Sequence, residues 1–77
     1  MEQTQHFRDM LEERAVQLSW VEQTIVSPQV VENHEDGTRH FLRQIEECGN
    51  RWLRVVVTIK TNPNKMVTVF FDRRFTR

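Results

Sequence analysis

The apolar residues of this chain follow two spacings, a helical one before Pro28 and an alternating one after it. Phe7, Met10, Leu11 and Arg14 stand at i, i+3, i+4 and i+7, one face of a helix of period 3.6. Thr4 is placed to cap its start. The face is apolar except at its end, so Arg14 should lay its stem along the core edge. Its head then needs an acceptor, either a carboxylate such as Asp72 or helix-end carbonyls. In "SWVE", Ser19 and Glu22 have the capping-box spacing, which predicts a second helix with Val21 and Ile25 on its buried side. Pro28 pushes Ser27 out of helical geometry and ends that helix.

Beyond Pro28 the period becomes two. "VVENHEDGTRHFLRQIEE" reads as a hairpin turning at Asp36-Gly37, because Gly and Asp tolerate the positive φ of tight turns. Phe41 and Ile45 share a face with Arg39 and Arg43, and His40, Leu42 and Gln44 take the other. "RWLRVVVTIK" predicts the central strand, with Leu53, Val55, Val57 and Ile59 facing the core and Trp52, Arg54, Val56, Thr58 and Lys60 opposite. "TNPNK" is a turn. After it Val67, Val69 and Phe71 alternate with Thr68, Phe70 and Asp72. The order α-α-β-β-β-β, with connections short enough for an antiparallel meander, predicts an α+β domain.

A chain of 77 residues has room for one core, so residues 1–77 form a single domain. The lone Cys48 excludes an internal disulfide. His6, His34 and His40 show no ligand spacing, so neither metal nor cofactor is expected. No signal peptide and no membrane-spanning apolar run is visible, which points to a soluble, cytoplasmic protein. The net charge of zero conceals a division: residues 1–37 carry −6 and residues 38–77 carry +6. Such halves either neutralise each other on packing or present a basic surface to a polyanion.

Five blocks, "HFRDMLEERAV", "SWVEQTIVSP", "DGTRHFLRQI", "RWLRVVVTIK" and "VTVFFDRR", span about residues 6 to 74. In order and spacing they resemble a small bacterial and cyanobacterial family of domains of unknown function, usually placed near the RelE/ParE-type toxins. The resemblance implies two helices packed on one face of a curved four-stranded antiparallel sheet. It also implies a toxin-like activity on RNA or the translation machinery, beside an antitoxin protein. The chain departs from characterised ribonucleases of that group in having no tyrosine, a frequent contributor at their active sites. Ala15 departs too, since glycine often follows the helix arginine in the family.

Metal-independent RNA cleavage needs a base for the 2′-hydroxyl, cations for the phosphorane-like state and an acid for the leaving oxygen. His6 and His40 are the candidate proton carriers, and Arg54 and Arg74 the candidate charge stabilisers. For each histidine a structural role competes: His6 as a helix-to-strand hydrogen bond, His40 as an ordinary cross-strand position. Trp52, Arg54, Lys60, Arg73 and Arg74 together predict a basic, aromatic surface that would hold single-stranded RNA or a ribosomal site. The alternative is a surface ion-pair ladder around Asp72. A second functional class is a non-catalytic interaction module, with Trp52, Val56 and Phe70 buried by a second copy in a homodimer or by a partner helix.

Overall fold

The protein is described by a computed structural model over residues 3–76. Helix α1 covers Gln5–Glu13 and helix α2 Leu18–Val26. Four strands come after them, β1 at Val30–Asn33, β2 at Thr38–Ile45, β3 at Arg51–Thr58 and β4 at Lys65–Phe71. They pair antiparallel in the order β1-β2-β3-β4, so the α+β reading holds. Phe7, Met10 and Leu11 of α1 and Trp20 and Val21 of α2 share one core with Ile45, Leu53, Val55, Val57 and Val69. The helices therefore cover one sheet face, and the other face carries a polar group centred on Arg54.

Thr4 caps α1 as expected, its hydroxyl accepting the Phe7 N–H at 3.1 Å. Arg14 also anchors the helix, but its acceptors lie on the edge strand β4. Its Nη1 donates to the Val69 carbonyl at 2.7 Å and to Thr68 Oγ1 at 3.3 Å, and Asp72 is engaged elsewhere. Helix α2 corrects the capping-box expectation. It starts after Gln17, whose carbonyl accepts from Trp20 N–H at 3.0 Å, and Ser19 lies inside its first turn. Trp20, Val21 and Thr24 form its buried side. Ser27 ends the helix before Pro28, as the proline dictates.

Two further residues leave the core face expected for them. Ile59 lies just past the end of β3 and is exposed, and Val67 is exposed while Met66 is buried opposite Val57. A bulge between Val56 and Val57 shifts the β3–β4 register there. One unpaired residue reverses the alternation on one side of it.

Ala15 joins the two helices with φ +53°. The Val16 N–H reaches back to the Leu11 carbonyl at 2.9 Å and the Ala15 N–H to Glu12 at 3.2 Å, a Schellman-type ending that ordinarily takes glycine. Ala15→Gly should relieve the left-handed strain and stabilise the fold by about 0.5–1 kcal/mol. Urea melts should show a higher midpoint at unchanged slope; a lower midpoint would refute the strain account.

Candidate functional site

The sheet face opposite the helices is organised around Arg54 in the middle of β3. Its neighbours are set by strand register, since Arg54 stands between Leu42 on β2 and Phe70 on β4. The guanidinium Nε donates to Asp72 Oδ2 at 2.8 Å, and Nη1 donates to Glu32 Oε1 and to His40 Nδ1, each at 2.8 Å. Only 11% of the Arg54 side chain is exposed. A charge so withdrawn from water must be paired, and here two carboxylates from opposite edges of the sheet do it.

The hydrogen bonds also fix the state of His40. A guanidinium can only donate, so Nδ1 of His40 accepts and the ring proton sits on Nε2. That proton meets Thr38 Oγ1 at 3.1 Å, and the Thr38 hydroxyl donates to Asp36 Oδ1 at 2.6 Å. The His34 ring stacks on His40, with centroids 3.7 Å apart and planes within 13°. His34 Nε2 lies 2.9 Å from Glu32 Oε1. An ionised carboxylate accepts, so the Nε2 proton is donated to it, and neutral His34 keeps its lone pair on Nδ1.

These contacts move the titrations in consistent directions. Hydrogen bonds from Arg54 and then from His34 hold the Glu32 carboxyl below its ordinary 4.5. Asp36 is lowered by the Thr38 hydroxyl and backbone N–H. Burial opposes ionisation of Asp72, but the Arg74 N–H and the Arg54 guanidinium outweigh it and lower the value from 3.8. Burial, then the neighbouring His34 and Arg54, push His40 below 6.5.

Asp72 also shapes the tail. Its Oδ1 accepts the backbone N–H groups of Arg74 at 3.0 Å and Phe75 at 3.2 Å, an Asx-type turn. The turn brings Phe75 edge-on to Trp52, with centroids 4.8 Å apart, and sets it 5.6 Å from the Arg54 guanidinium carbon. A cleft at this end is lined by Arg51, Trp52, Phe71, Asp72, Arg73 and Phe75. Arg51 lies over the Phe71 ring at 4.3 Å. Among the described residues Arg51, Lys60, Arg73 and Arg74 have no carboxylate within ion-pair distance.

Residues 3–71 match a family described as Domain of unknown function (DUF4258). The chain belongs to the DUF4258 family. No curated protein and no solved structure matches it. No described helix of this DUF4258 domain is long and apolar enough to cross a membrane.

Of the residues singled out in the sequence, the fold brings His40 and Arg54 into contact and joins Trp52 to them through Phe75. Arg73 and Arg74 are exposed just beyond β4. Lys60 lies at the other end, its stem packed where a Cβ on Gly37 would stand. His6 is not part of the group. It is exposed on α1, in the layer across the sheet, and among the described residues it has no strand hydrogen bond, which corrects its expected anchoring role. The helix is held through Phe7 and Arg14 instead. Arg54 projects from the expected face, but its Nε and Nη1 are committed within the chain. Glu32, His34 and Asp72 escaped the sequence reading as site residues. Counting outward from a two-residue Asp36-Gly37 turn pairs Glu32 with Phe41, whereas the loop takes one residue more and the register pairs Glu32 with His40.

Removing the guanidinium takes from Glu32 and Asp72 the cation they share, so Arg54→Ala should destabilise the domain by about 2–3 kcal/mol, measured by urea unfolding. Arg74→Ala, exposed beyond the strand, should change stability by less than about 0.5 kcal/mol. Equal effects would remove Arg54 from its central place on this face.

Acid should act in two stages. Folding lowers the values of His40, Glu32 and Asp72 alike, so the unfolded chain takes up protons first and stability falls as pH falls. The loss should begin below 6.5 through His40 and steepen below 4.5 through the carboxyls. His40→Gln should flatten the upper stage alone in thermal melts across that range. A wild-type profile flat down to 4.5 would contradict the lowered His40 value.

Proposed function

We propose that this DUF4258 domain is toxin-like and acts on RNA or the translation machinery through the sheet face opposite its helices. The observation that carries the reading is the continuity of that face. Side-chain contacts run from Trp52 and Phe75 through Arg54 to His40 and the His34 stacked on it, so groups for stacking, charge and proton transfer follow one another along this face. The resemblance to a family placed near the RelE/ParE-type toxins supports the same reading, as do the two helices packed on an antiparallel sheet.

The chemistry assigned to the site is transesterification. His34 Nδ1 takes the 2′-hydroxyl proton, and the freed oxygen attacks the adjacent phosphorus. The P–O5′ bond breaks and the imidazolium returns its proton to the departing 5′-oxygen, leaving a 2′,3′-cyclic phosphate and a 5′-hydroxyl. Glu32 orients His34 by accepting its Nε2 proton, which leaves Nδ1 as the base. His40, whose lone pair is held by Arg54, positions the reacting ring by stacking. Exposed Arg73 and Arg74 supply charge to the phosphate, and Trp52 with Phe75 offers a face for a base.

Induced expression should arrest growth and deplete transcripts. With purified protein on single-stranded RNA, His34→Ala should slow cleavage by about 10²–10⁴-fold at unchanged melting temperature. Arg74→Ala should weaken binding and make its salt dependence shallower by about one phosphate contact. His6→Ala should alter neither. Harmless expression, no RNA binding at low salt and recovery of a stable protein partner would replace this reading with the interaction module.

A further inference from the structure

The β1–β2 hairpin gathers a set of donors that the chain's linear spacing hides. Glu32, His34 and His40 each offer one ligand atom, and these atoms all lie within 4.8 Å of one another. The backbone fixes the grouping. Glu32 and His40 are register partners, and the His34 N–H donates to the Thr38 carbonyl at 2.9 Å across the turn. Three ligands are thus held by one short hairpin whose tight turn is set by Gly37 at φ +83°.

We propose that Glu32, His34 and His40 form a binding site for a single borderline divalent transition ion, of which Zn²⁺ is the natural probe. The donor set selects the class, since two imidazoles and one carboxylate suit zinc, cobalt or nickel rather than magnesium or calcium. The distances fit as well. Ligand atoms about 2.0–2.1 Å from a tetrahedral ion stand roughly 3.4 Å apart. The present 4.8 Å span therefore closes through side-chain rotation, with the strands in place.

The surrounding hydrogen bonds have the pattern of an outer shell. His40 gives its Nε2 proton to Thr38, which is backed by the Asp36 carboxylate, and this leaves Nδ1 turned toward Glu32 and Arg54. A metal-ligating histidine is held in the same way by its second nitrogen. Arg54 Nη1 already places positive charge against Glu32 Oε1 and His40 Nδ1, at 2.8 Å from both. An arriving ion replaces that one N–H donor, while Nε of Arg54 stays on Asp72. The carboxylates of Glu32, Asp36 and Asp72 outnumber the one guanidinium in this network, so the site retains negative charge for a dication. Three protein ligands leave a fourth position for water.

This site stands apart from the RNA reading, because binding is measured without any activity. An ion held there and proton transfer by His34 exclude each other.

The test is calorimetric titration of the full chain with Zn²⁺ near neutral pH, together with visible spectra of the Co²⁺ form. One ion per chain should bind with a Kd of about 10 μM or tighter. The Co²⁺ spectrum should show ligand-field bands without thiolate charge transfer, which separates the site from Cys48. His34→Ala and His40→Ala should each weaken Zn²⁺ by about tenfold or more, and His6→Ala should not. Mg²⁺ should not compete. His34 is exposed, so its variant decides the matter even where His40→Ala fails to fold. A Kd weaker than about 100 μM, or binding that survives His34→Ala, would overturn the site.

Discussion

The guanidinium of Arg54 ties together three parts of the sheet. It sits on β3, receives Glu32 from the edge strand β1, and receives Asp72 just past the other edge strand β4. A cation with so little exposure is tolerable only when its counter-charges are fixed. The pairing therefore constrains where β1 and the tail lie relative to the centre. One of its two carboxylates comes from the acidic first half of the chain and one from the basic second half. Internal neutralisation of the two halves is thus partial, and exposed arginines remain around the cleft.

Arg54 thereby imposes local order on the face that the helices do not cover. Asp72, held by the arginine, folds the tail over so that Phe75 meets Trp52. Leu42 and Val56 on this face are buried without help from the helices. The surface from which self-association was expected is thus partly covered by the chain itself. The same arginine sets the His40 tautomer, and the Thr38–Asp36 pair completes it from the turn. The imidazoles of His34 and His40 are stacked because the hairpin register leaves them side by side.

The helical face is simpler and was largely readable. The i, i+3, i+4 spacing of Phe7, Met10 and Leu11 named the buried stripe, and alternation along β3 named Leu53, Val55 and Val57. Misreadings occurred where a local rule met a tertiary demand. Ser19 had the cap spacing, but the helix starts after Gln17, with Trp20 on its buried side. Val67 had the alternation, but the bulge turned it outward in favour of Met66. Ala15 showed the converse, a residue that departs from the expected glycine and still adopts the left-handed conformation the helix ending requires.

The sequence by itself determined the elements, their antiparallel order and the face that most strand residues take, because periodicity and turn chemistry act over a few residues. It also placed Arg54 opposite the core face of β3 and His40 on the side of β2 opposite Phe41 and Ile45. Only the tertiary structure decided what those residues do there. Glu32, His40, Arg54 and Asp72 come from three strands and a tail, and their meeting depends on register across the whole sheet. Hydrogen bonds of 2.8 Å between groups so far apart in the chain leave no trace in local spacing. The same is true of His34, which looks like an isolated polar residue until the hairpin closes and stacks it on His40.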